Sequence, residues 1–112
     1  MPADFRTFQD PTLLNIGVAN VNFNTANVDG NQRANLSFCV IPTLATGQNV
    51  TLEVQINGSF IFQETFNSGD QRVWQENFDA SILQTLNVLT LIKAGGLGEI
   101  SVSDCIVHFK TV

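Results

Sequence analysis

An all-β fold, an antiparallel two-sheet β-sandwich of jelly-roll type, is predicted by three features of this sequence. Hydrophobic residues alternate with polar residues over several short segments, as in strands with one buried face. Turn pairs such as Asn-Gly, Asp-Gly and Gly-Gly separate these segments at intervals of roughly a dozen residues. No long amphipathic helix is present to cover a parallel sheet. We therefore expect seven or eight strands and at most one short helical turn, in a single domain spanning residues 1–112.

The clearest local signal is a hairpin within residues 49–66. Val50, Leu52, Val54 and Ile56 alternate with polar residues, which places four branched side chains on one face of a strand. The pair Asn57-Gly58 then supplies the two residues that best tolerate the positive φ of a two-residue turn. A second strand-forming segment follows at once, so the sequence predicts an antiparallel pair.

The register after this turn decides the environment of two phenylalanines. If the loop contains two residues, Ile56 faces Ser59, and Phe60 and Phe62 point away from the core. If Ser59 joins the loop, both rings turn inward and are core residues. The first arrangement would create an aromatic interface, and the second would only fill the interior.

The remaining elements follow from turn residues and changes of hydrophobic phase. Residues 1–12 are predicted to form an N-terminal arm, and a strand over residues 34–41 should end at Pro42, which cannot donate to a ladder. Residues 79–86 are the one segment suited to a helical turn, with Asp79 as a capping residue. The hydrophobic phase of the last strand changes at Ser103-Asp104, which predicts a β-bulge.

Composition excludes several classes of partner. The net charge is −5 and only 13% of the residues are charged, so a nucleic-acid backbone is not an expected partner. No apolar segment is long enough to span a membrane, and residues 1–6 do not resemble a signal peptide. Cys39 and Cys105 lie in opposite phases of their strands, which predicts two free thiols. Free thiols favour a reducing compartment, although the localisation stays open.

Two parts of the sequence resemble the galactose-binding-like jelly rolls, a family that includes many carbohydrate-binding modules. The hairpin segment 52–58, with Ile61 three residues past the glycine, is similar to the family's strand–Asn-Gly–strand element. Residues 78–83, 86–91 and 100–107 resemble its short turn, its Asn-X-Leu strand and a final strand that carries an Asp. The similarity covers roughly residues 49–109. It implies a non-catalytic module, often carbohydrate-binding, that uses aromatic side chains and loop amides at one end and in some members holds a structural Ca²⁺.

A sugar site needs an aromatic platform beside amides and carboxylates. Trp74, with Glu76 and Asn77 on the same segment and Asp70 in the preceding turn, is the set of residues that best meets this need. The alternative is that Trp74 fills the core of a small sandwich.

The sequence contains one candidate set of metal ligands and no catalytic pair. Asp29 and Asn31, with an acidic loop residue such as Asp70, could ligate Ca²⁺, but an Asx-type turn explains the same residues. No other cofactor is expected. His108 is the sole histidine, and Asp104, four residues earlier on the same strand, is too distant to form a dyad with it.

We therefore expect a non-enzymatic binding module that is lectin-like and recognises carbohydrate or a protein partner, and that forms a homo-oligomer. The alternative is a structural, self-assembling sandwich protein, such as a coat or filament subunit, that associates through sheet faces or edges.

Overall fold

The computed structural model of the protein describes the backbone of residues 3–7 and 12–14, and residues 18–112 in full. The described residues form nine strands: β1 Ala3–Thr7, β2 Thr12–Leu14, β3 Val18–Asn24, β4 Arg33–Thr43, β5 Val50–Ile56, β6 Ser59–Phe66, β7 Arg72–Asp79, β8 Leu86–Gly96 and β9 Glu99–Lys110. A 3₁₀ turn, Ala80–Ile82, lies between β7 and β8. In this part of the chain no helix has the length and apolar character to cross a membrane.

The strands form two antiparallel sheets, which confirms the predicted all-β sandwich. One sheet has the order β1-β9-β4-β7, and β2 also pairs with β9. The other sheet has the order β3-β8-β5-β6. In the described residues, β5 and β6 are the only consecutive strands that pair with each other. The core fills the space between the sheets.

Alternating side chains build that core, as the hydrophobic periodicity predicts. On β5, every second residue is fully buried and the intervening residues are partly exposed. The opposite sheet contributes inward residues of the same kind, including Leu36, Phe38 and Val40 on β4. The largest fully buried side chains in the core are those of Phe38, Phe66 and Phe109.

The hairpin combines the two predicted registers through a β-bulge. Ile56 pairs with Ser59 and Gln55 with Phe60, as in a two-residue loop, and Asn57 and Gly58 have φ values of 53° and 81°. Val54 then pairs with Phe62, so Ile61 is the extra residue of the bulge. The bulge changes the phase of the strand, and Phe60 therefore faces outward while Phe62 faces the core.

The predicted bulge in β9 is present. Ser37 of β4 pairs with Ile106 and Cys39 pairs with Ser103, so two residues of β9 lie opposite one residue of β4. Asp104, one of the two, has a φ of 56°. The phase change lets Ile100 and Val102 before the bulge, and Cys105, Val107 and Phe109 after it, all point into the core.

Three local predictions are corrected. Part of the predicted arm, residues 3–7, forms β1 on β9, whereas the rest lies partly outside the described residues. Strand β4 continues through Pro42 to Thr43. Its pairing with β7 ends at Val40, so at Pro42 no strand on the β7 side requires the backbone N–H that proline lacks. The helical turn is a single 3₁₀ turn, and Asp79 precedes it without a capping hydrogen bond.

The two cysteines are free, as predicted. Cys105 lies on the inner face of β9 and is fully buried. Cys39 lies in the opposite phase on β4, where the Gln71 side-chain amide approaches its sulfur at 3.1 Å.

Candidate functional site

One face of the Trp74 indole ring packs against the core. It lies half-buried on β7, the edge strand of its sheet. Its ring stacks on Phe62 at a centroid distance of 5.6 Å and an interplanar angle of 13°, and the Phe66 ring meets it edge-on at 5.9 Å. The indole N–H points toward a Glu76 carboxylate oxygen at 3.4 Å. Trp74 therefore joins the edge strands β6 and β7 of the two sheets, which leaves little of its ring for a ligand.

The structure does not bring the predicted sugar-binding residues together. Trp74 and Glu76 lie in the inward phase of β7, and the intervening residues point outward. Asn77 is on that outer face, where its side-chain oxygen accepts a hydrogen bond from Asn35 at 3.0 Å. Asp70 is exposed in the turn before β7. The predicted set is thus divided between the two faces of one strand.

The proposed metal ligands form an Asx-type turn. A carboxylate oxygen of Asp29 accepts a hydrogen bond from the backbone N–H of Asn31 at 3.0 Å. Within the described part of the chain, no group of three or more His, Cys, Asp and Glu side chains is arranged to hold a metal ion.

The two phenylalanines predicted to form an interface have different environments. Phe60 is 61% exposed, whereas Phe62 is 6% exposed and stacks between Trp74 and Phe38. The outward placement of Phe62 is therefore wrong, because the bulge at Ile61 turns its side chain inward. Phe60 remains available on the outer face of the four-stranded sheet.

Polar side chains of low charge surround Phe60 on that face. Gln55 of β5 lies opposite Phe60 on one side and opposite Thr90 of β8 on the other. Thr90 in turn pairs with Asn20 of β3 and donates a hydrogen bond to its side-chain oxygen at 3.0 Å. This cross-strand row therefore carries two amides, a hydroxyl and one aromatic ring.

The next row adds a carboxylate and a further amide. Glu53 of β5 lies opposite Gln63 of β6, and its carboxylate accepts a hydrogen bond from Gln55 at 2.6 Å. The same row continues through Ile92 of β8 to Val18 of β3, which are apolar. We call the aromatic residue and the five polar residues of these two rows the Phe60 face: Asn20, Glu53, Gln55, Phe60, Gln63 and Thr90. An exposed ring beside amides, a hydroxyl and a single carboxylate is an arrangement that can recognise a polyhydroxylated ligand.

Comparisons with known proteins bear on the fold. No protein-family model and no curated protein matches the chain. Among solved structures, dimeric latent PorU from Porphyromonas gingivalis is similar, with a TM-score of 0.67 and 14% sequence identity over 94% of this chain. The chain corresponds to 13% of the length of that PorU chain. This likeness supports the β-sandwich fold.

A second structure, that of infectious bursal disease virus Gx strain, aligns with 98% of this chain and 38% of the viral chain. The two are 10% identical, and the TM-score is 0.31.

Proposed function

We propose that this protein is a non-catalytic β-sandwich module that binds carbohydrate through the Phe60 face. The observation that carries the proposal is the exposure of the Phe60 ring on a sheet face where Gln55 lies directly opposite it and Glu53 and Gln63 lie in the adjacent row. The C–H faces of a sugar ring stack on an aromatic side chain, and its hydroxyl groups bond to amides and carboxylates beside that ring.

The polar side chains of this face are partly held in place before any ligand arrives. Glu53 and Gln55 are bonded to each other, and Thr90 is bonded to Asn20. Side chains on paired strands lose less conformational freedom on binding than side chains on loops, which favours affinity. The resemblance to galactose-binding-like modules supports the same ligand class, although the residues proposed here lie on a sheet face and not in end loops.

A glycan array followed by calorimetric titration with the best glycan tests the proposal. Phe60→Ala should weaken binding by at least about tenfold, equivalent to about 1.4 kcal/mol, because the platform is lost. Phe60→Trp should retain or improve binding, because a larger ring offers more stacking area.

Val73→Ala is the matched control, since Val73 is 72% exposed on the other sheet and should leave binding unchanged. The proposal is wrong if no glycan binds, or if Phe60→Ala binds as well as the wild type.

Self-association through the edge of β7 is a second candidate function. The strand is eight residues long, pairs with β4 without a bulge and has no second partner in the described part of the chain. An unpaired edge of this kind can accept a strand from another copy. The edge of β6, in contrast, is interrupted by the bulge at Ile61.

Light scattering coupled to size-exclusion chromatography tests this second candidate. Wild-type protein should show an oligomer at high concentration, and Val73→Lys should shift it to monomer because a charge on an edge strand opposes pairing. A wild-type protein that stays monomeric at every concentration would exclude it.

A further inference from the structure

A pocket of about 240 Å³ lies on the outer face of the five-stranded sheet, on the side of the sandwich away from the Phe60 face. Its lining includes two cationic residues, Arg33 and Lys110, the amides Asn35 and Asn77, the imidazole of His108, and the buried residues Ala34 and Phe109. This volume lies below the roughly 300–1,000 Å³ of ligand pockets, which limits an occupant to a single small molecule or headgroup. We call it the cationic pocket.

Strand register explains why these side chains converge. Asn35, on the central strand β4, pairs with His108 of β9 on one side and with Asn77 of β7 on the other. Arg33 lies two residues before Asn35, and Lys110 lies two residues after His108, which places both on the same face as Asn35 and His108. Two adjacent rows of polar side chains thus form the floor and the rim.

The charge of this pocket is opposite to that of the protein. The chain carries ten acidic residues against five Lys and Arg, yet two of those five, Arg33 and Lys110, line this one pocket. Such a concentration of positive charge in an acidic protein creates a local potential that attracts anions.

Among the side chains that the structure describes, two carboxylates lie nearby, and both have partners. Asp79 pairs with Arg33 at 3.2 Å, although both side chains are largely exposed. Asp29 lies next to Lys110, since its backbone N–H donates to the Lys110 carbonyl, but its carboxylate accepts from Asn31. Asp79 is therefore the acidic group that would compete with an incoming anion for Arg33.

We propose that the cationic pocket binds a small oxyanion-bearing ligand, with Arg33 and Lys110 as the charged donors and the amides of Asn35 and Asn77 as neutral ones. A guanidinium presents two parallel N–H donors that match a carboxylate, sulfate or phosphate, and an ammonium adds a compact positive charge. Asn35 donates to the Asn77 oxygen, which orients the Asn77 amide nitrogen as a donor. This site is independent of the Phe60 face, because the two lie on different sheets.

Titration of the full chain by NMR or calorimetry tests the pocket, with acetate, sulfate, inorganic phosphate and methyl glucuronate as probes at constant ionic strength. Saturable binding of at least one probe is expected, with shifts confined to β4, β7 and β9. Equal affinity for acetate and methyl glucuronate would identify the oxyanion alone as the ligand. Tighter binding of methyl glucuronate, with no binding of methyl glucoside, would identify an acidic sugar.

Two pairs of variants test whether binding depends on charges in the cationic pocket or on the overall charge of the protein. Lys110→Gln should weaken binding by roughly tenfold, whereas Lys93→Gln, which removes the same charge from β8 of the other sheet, should leave it unchanged. Asp79→Asn should strengthen binding severalfold because it releases Arg33, and Asp70→Asn, in the exposed turn before β7, should not.

Equal losses in Lys110→Gln and Lys93→Gln would overturn the proposal, because binding would then follow overall charge. So would an Asp79→Asn variant that binds no more tightly than Asp70→Asn, or the failure of every probe to saturate.

Discussion

The Asn57 side-chain amide donates a hydrogen bond to the Asn87 side-chain oxygen at 2.9 Å, which joins the β5–β6 turn to the start of β8. Asn87 is 2% exposed, and its amide nitrogen donates to the Thr25 hydroxyl at 3.0 Å and to the Gln84 carbonyl at 2.8 Å. Its oxygen also accepts from the Gln84 backbone N–H at 2.7 Å. One buried amide thus satisfies polar groups from three separate segments of the chain.

Replacing Asn87 with alanine should destabilise the protein strongly. The change leaves several buried donors and acceptors without partners, at a cost of about 2–4 kcal/mol in the free energy of unfolding. Urea denaturation measures the loss. Asn22→Ala, at an exposed position of β3, is the control and should change stability by less than about 0.5 kcal/mol. Equal stabilities of the two variants would contradict the structural role of the network.

Phe60 and Phe62 should differ sharply in their contribution to stability. Phe62→Ala removes a buried ring that stacks on Phe38 and Trp74, so the expected cost is about 3–5 kcal/mol. Phe60→Ala should cost less than about 0.5 kcal/mol, because that side chain is 61% exposed. Thermal and chemical denaturation of both variants checks the position of the bulge. Similar losses of stability in the two variants would contradict a bulge at Ile61.

Adjacent glycines at the end of β8 should respond differently to alanine. Gly96 has a φ of 83°, and an added Cβ would collide with the Asn49 carbonyl oxygen. Gly96→Ala should therefore lower the free energy of unfolding by at least about 2 kcal/mol. At Gly95 the nearest atom to an added Cβ is the Thr51 hydroxyl oxygen at 3.8 Å, so Gly95→Ala is the matched control with little expected change.

Stability should decline at alkaline pH through Cys105. Burial, and secondarily the charge of Asp104, raises the pKa of this thiol from 9.0 to about 12. Below pH 9 the thiol is protonated in both the folded and the unfolded protein, and its contribution to stability is fully present. As the pH rises from 9 to about 12, only the unfolded thiol ionises, so stability falls by up to about 1.4 kcal/mol per pH unit.

Denaturation measured at pH 8, 9, 10 and 11 follows this loss. Cys105→Ala removes the thiol and should show a shallower decline over the same range. Parallel curves for the two proteins would assign the alkaline loss to other groups.

The same thiol should be unreactive in the folded protein. In a Cys39→Ser variant, Cys105 is the remaining cysteine, and a disulfide reagent such as Ellman's reagent should modify it only after unfolding. One equivalent of thiol should appear in guanidinium chloride and none under native conditions at pH 8. Rapid native reaction would show that the core opens at β9.

The fold could be predicted largely because hydrophobic periodicity and turn chemistry are local properties of the sequence. The alternation on β5, the Asn57-Gly58 turn and the bulge beside Asp104 each leave a signal within a few residues. The bulge at Ile61 was harder to predict, because two registers were compatible with the sequence and packing of Phe62 against the opposite sheet distinguishes them.

The candidate sites were less accessible to sequence reasoning, because they depend on which strands become neighbours. Trp74 looked like a ligand platform, yet its ring is engaged by Phe62, which lies twelve residues earlier on another strand. The convergence of the side chains in the cationic pocket requires the pairing of β4 with β9, and the paired residues Asn35 and His108 are separated by more than half of the chain. The available sequence signal was a pair of polar residues two positions apart at the start of β4, Arg33 and Asn35, and another at the end of β9, His108 and Lys110.

The strand order also determines how the chain must fold. Since β5 and β6 are the only consecutive strands that pair in the described residues, that hairpin is the one element able to form on the microsecond scale by itself. Every other ladder joins strands that are distant in sequence and must close a long loop first. Because β4 pairs with β9, the five-stranded sheet can be completed only after β9 has been synthesised. Refolding on the millisecond-to-second scale, with the hairpin as the earliest protected segment in hydrogen exchange, is the kinetic consequence of this topology.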